Sequence, residues 1–229
     1  MTDLATLCRP GDPALVVIAH PDDETFCAGL IVTLGELGAS VTIACATRGE
    51  GGETGSVVDR ADLGRVREAE LRASAAALGV IDVRFLDLID PCPVDGFGQA
   101  PAVSLDTMSA LVGAVLDDLR PRLVVTHGSR GEYGHAAHVA VHRAVLAATS
   151  SRPAQPLVLT MLAEEDHHPL SEFMNEGDRC DLLVDVRASL PRRLQSLRAH
   201  RTQASVLRPL EEPITRLVVE SYRLRVVRS

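Results

Sequence analysis

The chain has 229 residues, 46% of them apolar but only 3% aromatic and none Trp, so its core must be built from Val, Leu, Ile and Ala, as in helix-covered parallel sheets. A formal net charge of -8, with Arg spread along the chain, excludes a polyanion-binding surface and hence a nucleic-acid partner. Five scattered cysteines without a CxxC exclude a disulfide framework and a Cys-rich zinc site, and the start of the chain lacks a signal-peptide pattern. With apolar runs short of the roughly 18–20 residues of a membrane span, a soluble cytoplasmic protein with no membrane partner is expected.

Residues 14–19 (ALVVIA) follow a Gly-Asp-Pro turn and read as a buried strand. Helical spacing over 24–37 stops at Gly38, and 41–47 (VTIACAT) is a second buried strand carrying Cys45. Residues 48–59 (RGEGGETGSVVD) predict a flexible Gly-rich loop. A strong helix over 62–78 ends at Gly79, and 83–86 is a short third strand. After a long loop over 90–103, Ser104 is placed to cap a helix whose apolar face runs from Leu105 to Leu119 and which Pro121 stops. Strands at 123–126, 157–162 and 182–186, and helices at 135–148 and 188–204, complete the pattern. The stretch 214–227 mixes strand and helix signals. Alternating strands and helices imply a Rossmann-like three-layer α/β fold, with a mainly parallel sheet and helices on both faces.

In such sheets ligands bind beyond the carboxyl ends of the strands. The first strand ends in His20-Pro21-Asp22-Asp23-Glu24. The fourth ends in Thr126-His127-Gly128 and runs on to Glu132-Tyr133-Gly134-His135-Ala136-Ala137-His138. A catalytic zinc site needs about three imidazole or carboxylate ligands and an open position for water. It also needs a separate carboxylate to take the water's proton and a donor to meet the oxyanion. His20, Asp23 and His138 could be the ligands and Asp22 the base, with His135 one helical turn before His138 facing substrate. Taken singly, the acidic run could instead be the first turn of a helix and His142 a core or supporting residue.

The AHPDDE run after an apolar strand, Thr47-Arg48-Gly49-Glu50, RVREAELRASAAALGV, VVTHG and the late Ala199-His200-Arg201-Thr202-Gln203 together resemble the PIG-L/LmbE-like N-acetylglucosaminyl deacetylase family over nearly the whole chain. The resemblance implies one deacetylase domain over residues 1–229 that removes the N-acetyl group of an N-acetylglucosamine-type sugar or glycoconjugate. It implies Zn2+, with Fe2+ or another divalent metal also suited to His/Asp ligation. It assigns His20, Asp23 and His138 to the metal, and Asp22 to activation of the metal-bound water. His135 falls to protonation of the amine or stabilisation of the oxyanion, and Arg48 and Asp90 to sugar hydroxyls. The loops at 49–55 and 90–103 would shape the sugar pocket. Partners are then a small N-acetylated sugar and, possible for an apolar-rich domain, a second copy in a homo-oligomer. The chain departs from the family's His-Pro-Asp-His at Ala137, so the carboxylate that would orient His135 must come from elsewhere, Glu132 or Glu164–Asp166 being the candidates. An amidase for a thiol-sugar conjugate, or an inactive sugar binder, are the alternatives. A dinucleotide module is disfavoured because the first strand leads into acids rather than GxGxxG.

Overall fold

The computed structural model describes residues 3–55, 58–150, 152, 154–162 and 180–225. A short helix α1 (Leu4–Leu7) leads into β1 (Pro13–Ile18). There follow α2 (Ala28–Glu36), β2 (Ser40–Thr47), α3 (Leu63–Leu78), β3 (Asp82–Leu88), α4 (Leu105–Leu119) and β4 (Leu123–Thr126). The turn α5 (Gly131–Gly134), α6 (Ala136–Ser150) and β5 (Leu157–Leu162) come next. β6 (Leu182–Asp185), α7 (Leu190–Ala199), α8 (Ala204–Leu207), α9 (Glu211–Arg216) and β7 (Val219–Arg225) complete the described chain.

The seven strands form one sheet in the order β3-β2-β1-β4-β5-β7-β6. β3, β2, β1, β4 and β5 pair in parallel, whereas β7 runs antiparallel to both β5 and β6. Alternation along β1 divides the core. Ala14, Val16 and Ile18 face a cluster built with α2 and α3, while Leu15, Val17 and Ala19 face one built with α4 and α6. Helices therefore cover both faces. The chain moves outward from β1 to β2 and β3, then returns to the other side of β1 for β4. The carboxyl ends of β1 and β4 thus flank the point where the strand order reverses, which is where such sheets open a crevice. Among the described residues no helix is long and apolar enough to cross a membrane.

Ser104 caps α4 as expected, its Oγ accepting from Thr107 N at 3.1 Å, and Gly79 ends α3 in the left-handed conformation. Three expectations change. The helix expected over 24–37 begins as a 3-10 turn, Asp23–Cys27, because the acids at its start point into the site rather than cap it. The helix expected over 188–204 stops at Ala199. The next residues are drawn into side-chain bonds, with Thr202 N and Oγ1 donating to Glu70 at 2.9 and 2.6 Å. The loop expected to be flexible at 48–59 is tied down in its described part, Arg60 Nη1 donating to the carbonyls of Glu50 (2.9 Å) and Gly52 (2.5 Å).

The ambiguous stretch 214–227 contains the antiparallel strand β7. Its buried Glu220 accepts from the first free amides of α2, Gly29 N and Leu30 N, each at 2.8 Å, and from Tyr222 OH at 2.7 Å. A carboxylate at a helix N-terminus is favoured by the dipole and by the otherwise unpaired N–H groups. Arg193 Nε lies 4.0 Å away and offsets the buried charge. We expect Glu220→Ala to lower unfolding free energy by roughly 3 kcal/mol, since it strands two buried amides and a guanidinium. Urea titration followed by circular dichroism measures this.

Candidate active site and metal centre

The site grows from the turn after β1. Asp22 adopts φ 121°, a region strained for any residue but glycine, and this lets Asp22 and Asp23 point in different directions. Three buried groups hold the turn. Arg67, 3% exposed, donates to the Pro21 carbonyl at 2.5 Å and lies 3.2 Å from Asp22 Oδ2. Glu24, fully buried, accepts from Asp22 N at 3.1 Å. It also binds His200 Nε2 at 2.5 Å and the Ser74 hydroxyl. His200 belongs to the late Ala199–Gln203 run, so that segment lies beneath the turn and holds it from below.

Asp23 joins the two distant segments. Its Oδ2 is 3.4 Å from His20 Nδ1 and accepts His20 N at 2.7 Å, and its Oδ1 is 3.2 Å from His138 Nε2. His138 Nε2 is buried and, despite that proximity, has no hydrogen-bond partner. Its ring is aimed by Glu132, whose Oε2 accepts from His138 Nδ1 at 2.7 Å and from His127 Nδ1 at 2.9 Å. Glu132 Oε1 accepts Gly128 N at 2.7 Å. The backbone of Glu132 is itself strained, at φ 57°, which turns its carboxylate inward.

These features fit a divalent cation. Two ligands about 2.0–2.1 Å from a tetrahedral ion sit roughly 3.4 Å apart, close to the His20–Asp23 and His138–Asp23 separations. The unpartnered Nε2 of His138 would offer its lone pair there once its proton has left, with the opposite nitrogen fixed by a carboxylate, as metal-bound histidines require. Donor atoms of His20, His135 and His138 lie within 4.8 Å of one another, as do those of Asp23, His127 and His138. His127 stacks on His138 at 4.0 Å, but its Nε2 accepts Ala19 N at 3.0 Å and its Nδ1 faces Glu132, so neither nitrogen is available. Its place is a supporting one beside His138.

The electrostatics follow from burial and pairing. Burial opposes charge on His20, but contacts with Asp23 and Asp90 outweigh it and raise the imidazole to about 9. His138 is raised to about 10, burial being overcome by the Asp23 charge and by Glu132. Glu132 resists burial through His127 and His138 and falls to about 2. Asp22 rises to about 6, chiefly through burial, with Arg67 working against the shift. His135 is lowered to about 4 by burial and by the charges of His138 and His20.

His20, Asp23, His138, His135 and Asp90 therefore come together. His135 packs against His20 and His138 with ring centroids 4.9 and 4.6 Å apart. Its Nδ1 accepts Ala137 N at 3.3 Å, leaving Nε2 as the face toward the 90–103 loop. Glu132 does not orient His135; its bonds go to His127 and His138. The other candidate for that task, Glu164–Asp166, and the pair His167-His168 lie outside the described residues. Asp90 Oδ1 is 3.3 Å from His20 Nε2. Arg48 points elsewhere. It donates to Glu68 and Asp87, each at 2.6 Å, and lies 4.8 Å over the Phe85 ring. The guanidinium that reaches the turn is Arg67. A signal for it existed: Arg67 shares the buried stripe of α3 with Leu63, Leu71, Ser74 and Leu78, an unusual place for a charge. His142, buried, donates through Nδ1 to the His127 carbonyl (2.8 Å), which is a supporting position.

The sequence pattern of the PIG-L family, described as GlcNAc-PI de-N-acetylase, matches residues 15–149. A 1D-myo-inositol 2-acetamido-2-deoxy-alpha-D-glucopyranoside deacetylase from Mycobacterium sp. (strain KMS) is 36% identical, over 84% of this chain and 74% of that protein. A deacetylase of the same description from Saccharopolyspora erythraea is 33% identical over 84% and 78%. Among solved structures, N,N'-diacetylchitobiose deacetylase from Pyrococcus horikoshii superposes with a TM-score of 0.69 at 18% identity, over 93% of this chain and 84% of that one. The 4-carboxy-2-hydroxymuconate hydratase GalB from Pseudomonas putida KT2440 gives 0.67 at 18%, over 95% and 98%. One architecture thus carries a deacetylase and a hydratase, so these likenesses speak to fold, and the reaction must be argued from the site.

Two measurements test the metal reading. With His20 and His138 raised above neutrality, protons occupy the ligand nitrogens at pH 7 and must leave when a cation binds. Affinity for Zn2+ should therefore rise with pH and binding should release protons, as calorimetry in buffers of different ionisation heat reads directly. Glu132→Ala should weaken Zn2+ binding by roughly 10–100-fold, because His138 loses the group that aims it.

Proposed function

Because the chain belongs to the PIG-L family, we propose that it is a zinc-dependent deacetylase that removes the N-acetyl group from an N-acetylglucosamine-type sugar or glycoconjugate, releasing acetate and a free amine. One observation carries this reading: a buried Asp23 links His20, at the end of β1, with the unpartnered His138 of α6, while Asp22 stands free beside them against Arg67. The activity named for the relatives, deacetylation of an acetamido sugar, supports the choice of substrate class.

A divalent ion held by His20, Asp23 and His138 would, when bound, polarise the acyl oxygen and acidify the attacking water. Asp22 takes the proton of that water as its oxygen attacks the carbonyl carbon. A carboxylate raised to about 6 suits a proton that must be accepted and then returned near neutral pH. Arg67 and Glu24 fix it in position, one by charge and one through its backbone N–H. His135 stays uncharged at neutral pH, and its Nδ1 already accepts from Ala137 N, so Nε2–H is a hydrogen-bond donor. That donor suits the developing oxyanion better than it suits proton delivery. The nitrogen then receives its proton from Asp22 as the C–N bond breaks, which restores the base.

Asp22→Asn should lower kcat by about 10²–10⁴-fold while leaving stoichiometric Zn2+ in place, as metal analysis of the purified variant would show. Since Asp22 must be ionised to accept a proton, kcat/KM should fall as pH drops through about 6. Wild-type turnover in the Asn variant would sink the assignment.

A further inference from the structure

Of the ten exposed large hydrophobic side chains among the described residues, five fall in the single stretch from residue 89 to 105 and a sixth, Tyr133, beside the ring that this stretch covers. Ile89, Val94, Phe97 and Val103 belong to the β3–α4 connection, Leu105 opens α4 directly after it, and Tyr133 packs 5.8 Å from the His135 ring that the connection covers. Phe97 is 75% exposed and Val94 57%. Scattered exposed apolar groups need no explanation, but a concentration at the mouth of a site does.

The connection is fastened to the catalytic centre rather than hanging free. At one end Asp90 meets His20. Next to it, Pro91 packs so closely on Gly51 that a Cβ on that glycine would lie 2.1 Å from the Pro91 carbonyl oxygen. Further along, a Cβ on Gly98 would lie 1.9 Å from His135 Nε2, so only glycine fits over that ring. Between these anchors Val94 and Phe97 exchange backbone bonds of 3.0 and 2.9 Å around Asp95-Gly96, both at positive φ, as a type I′ hairpin turn requires. The tip is a preformed two-residue hairpin that carries Phe97 immediately before the residue covering His135.

Its chemistry is apolar. From Ile89 to Leu105 the charged residues are Asp90 and Asp95 alone, and three prolines remove backbone donors. The Gln99 amide donates to the Phe97 carbonyl at 2.8 Å, and Ser104 caps α4. A polyhydroxylated group seated here would find few partners for its hydroxyls, and leaving them unpaired is unfavourable. We infer that this hairpin is the aglycone platform of the site, and that the substrate is an N-acetylated amino sugar bearing an apolar alkyl or aryl aglycone. The inference rests on the deacetylase reading above. It differs from the inositol-bearing substrate named for the curated relatives.

The test compares amine release by the Zn2+-loaded protein from the methyl, inositol, n-octyl and phenyl glycosides of N-acetylglucosamine. KM for the octyl and phenyl glycosides should be lower by on the order of tenfold, with kcat little changed, as burial of one side-chain-sized apolar surface gives. Phe97→Ser should erase that advantage. Equal KM values across the series, preference for the inositol glycoside, or an advantage that survives Phe97→Ser would overturn the inference. A concentration-dependent dimer that Phe97→Ser dissolves would assign the rim to a second copy and overturn it too. If no glycoside is hydrolysed, the deacetylase reading fails separately. Calorimetric binding of the octyl glycoside to the wild-type and Phe97→Ser proteins then still decides whether the platform takes an apolar group.

Discussion

The site depends on one buried carboxylate. Asp23 sits between an imidazole from the end of β1 and another from α6, more than a hundred residues apart in the chain. A carboxylate at 3% exposure is tolerable only if charge or hydrogen bonds compensate it. Here His20, His127 and His138 surround it, and they in turn need Glu132 and Asp90. Removing any one member leaves an uncompensated buried charge, so the cluster holds together as a unit. The polar cluster can be this dense because the sheet below it is packed with Val, Leu, Ile and Ala on both faces.

Much of this was legible in the sequence, for a physical reason. Buried parallel strands are apolar without alternation, so residues 14–19, 41–47 and 123–126 announce themselves, and the polar residues that follow must lie at the strand ends. That logic, together with the family resemblance, singled out His20, Asp23 and His138, which the fold brings side by side. The antiparallel β7 was not legible. Glu220, Ser221 and Tyr222 are all buried there, so neither an apolar run nor a clean alternation marks it. The supports were equally hidden. Glu132 acts through a strained backbone that no local pattern reports, and Arg67 leaves only the faint trace of a charge on the buried stripe of α3. Arg48 illustrates the converse: a residue adjacent to a conspicuous loop, expected at the sugar, whose guanidinium is committed to Glu68 and Asp87.

The replacement at Ala137 is informative in this setting. Without a carboxylate there, His135 has only a backbone N–H on Nδ1, and the burial and neighbouring charges that lower it outweigh the opposing pull of Asp23 and Asp90. The acidic partner in this segment, Glu132, serves the ligand His138 instead. Under the proposed mechanism, the division of labour that results would place proton traffic on Asp22 and leave His135 as a fixed dipole, in keeping with the strained and heavily braced conformation of the Asp22 turn.

The bond between Glu220 and the start of α2 spans 191 residues of sequence. Helix α2 follows directly on the turn that carries Asp22 and Asp23, so the segment bearing the first half of the site is not fully secured until β7 has been added to the sheet. On the ribosome, the β1–α2 unit would emerge long before its anchor. During that interval the nascent chain would hold the turn that carries Asp22 and Asp23 without the brace that Glu220 later supplies.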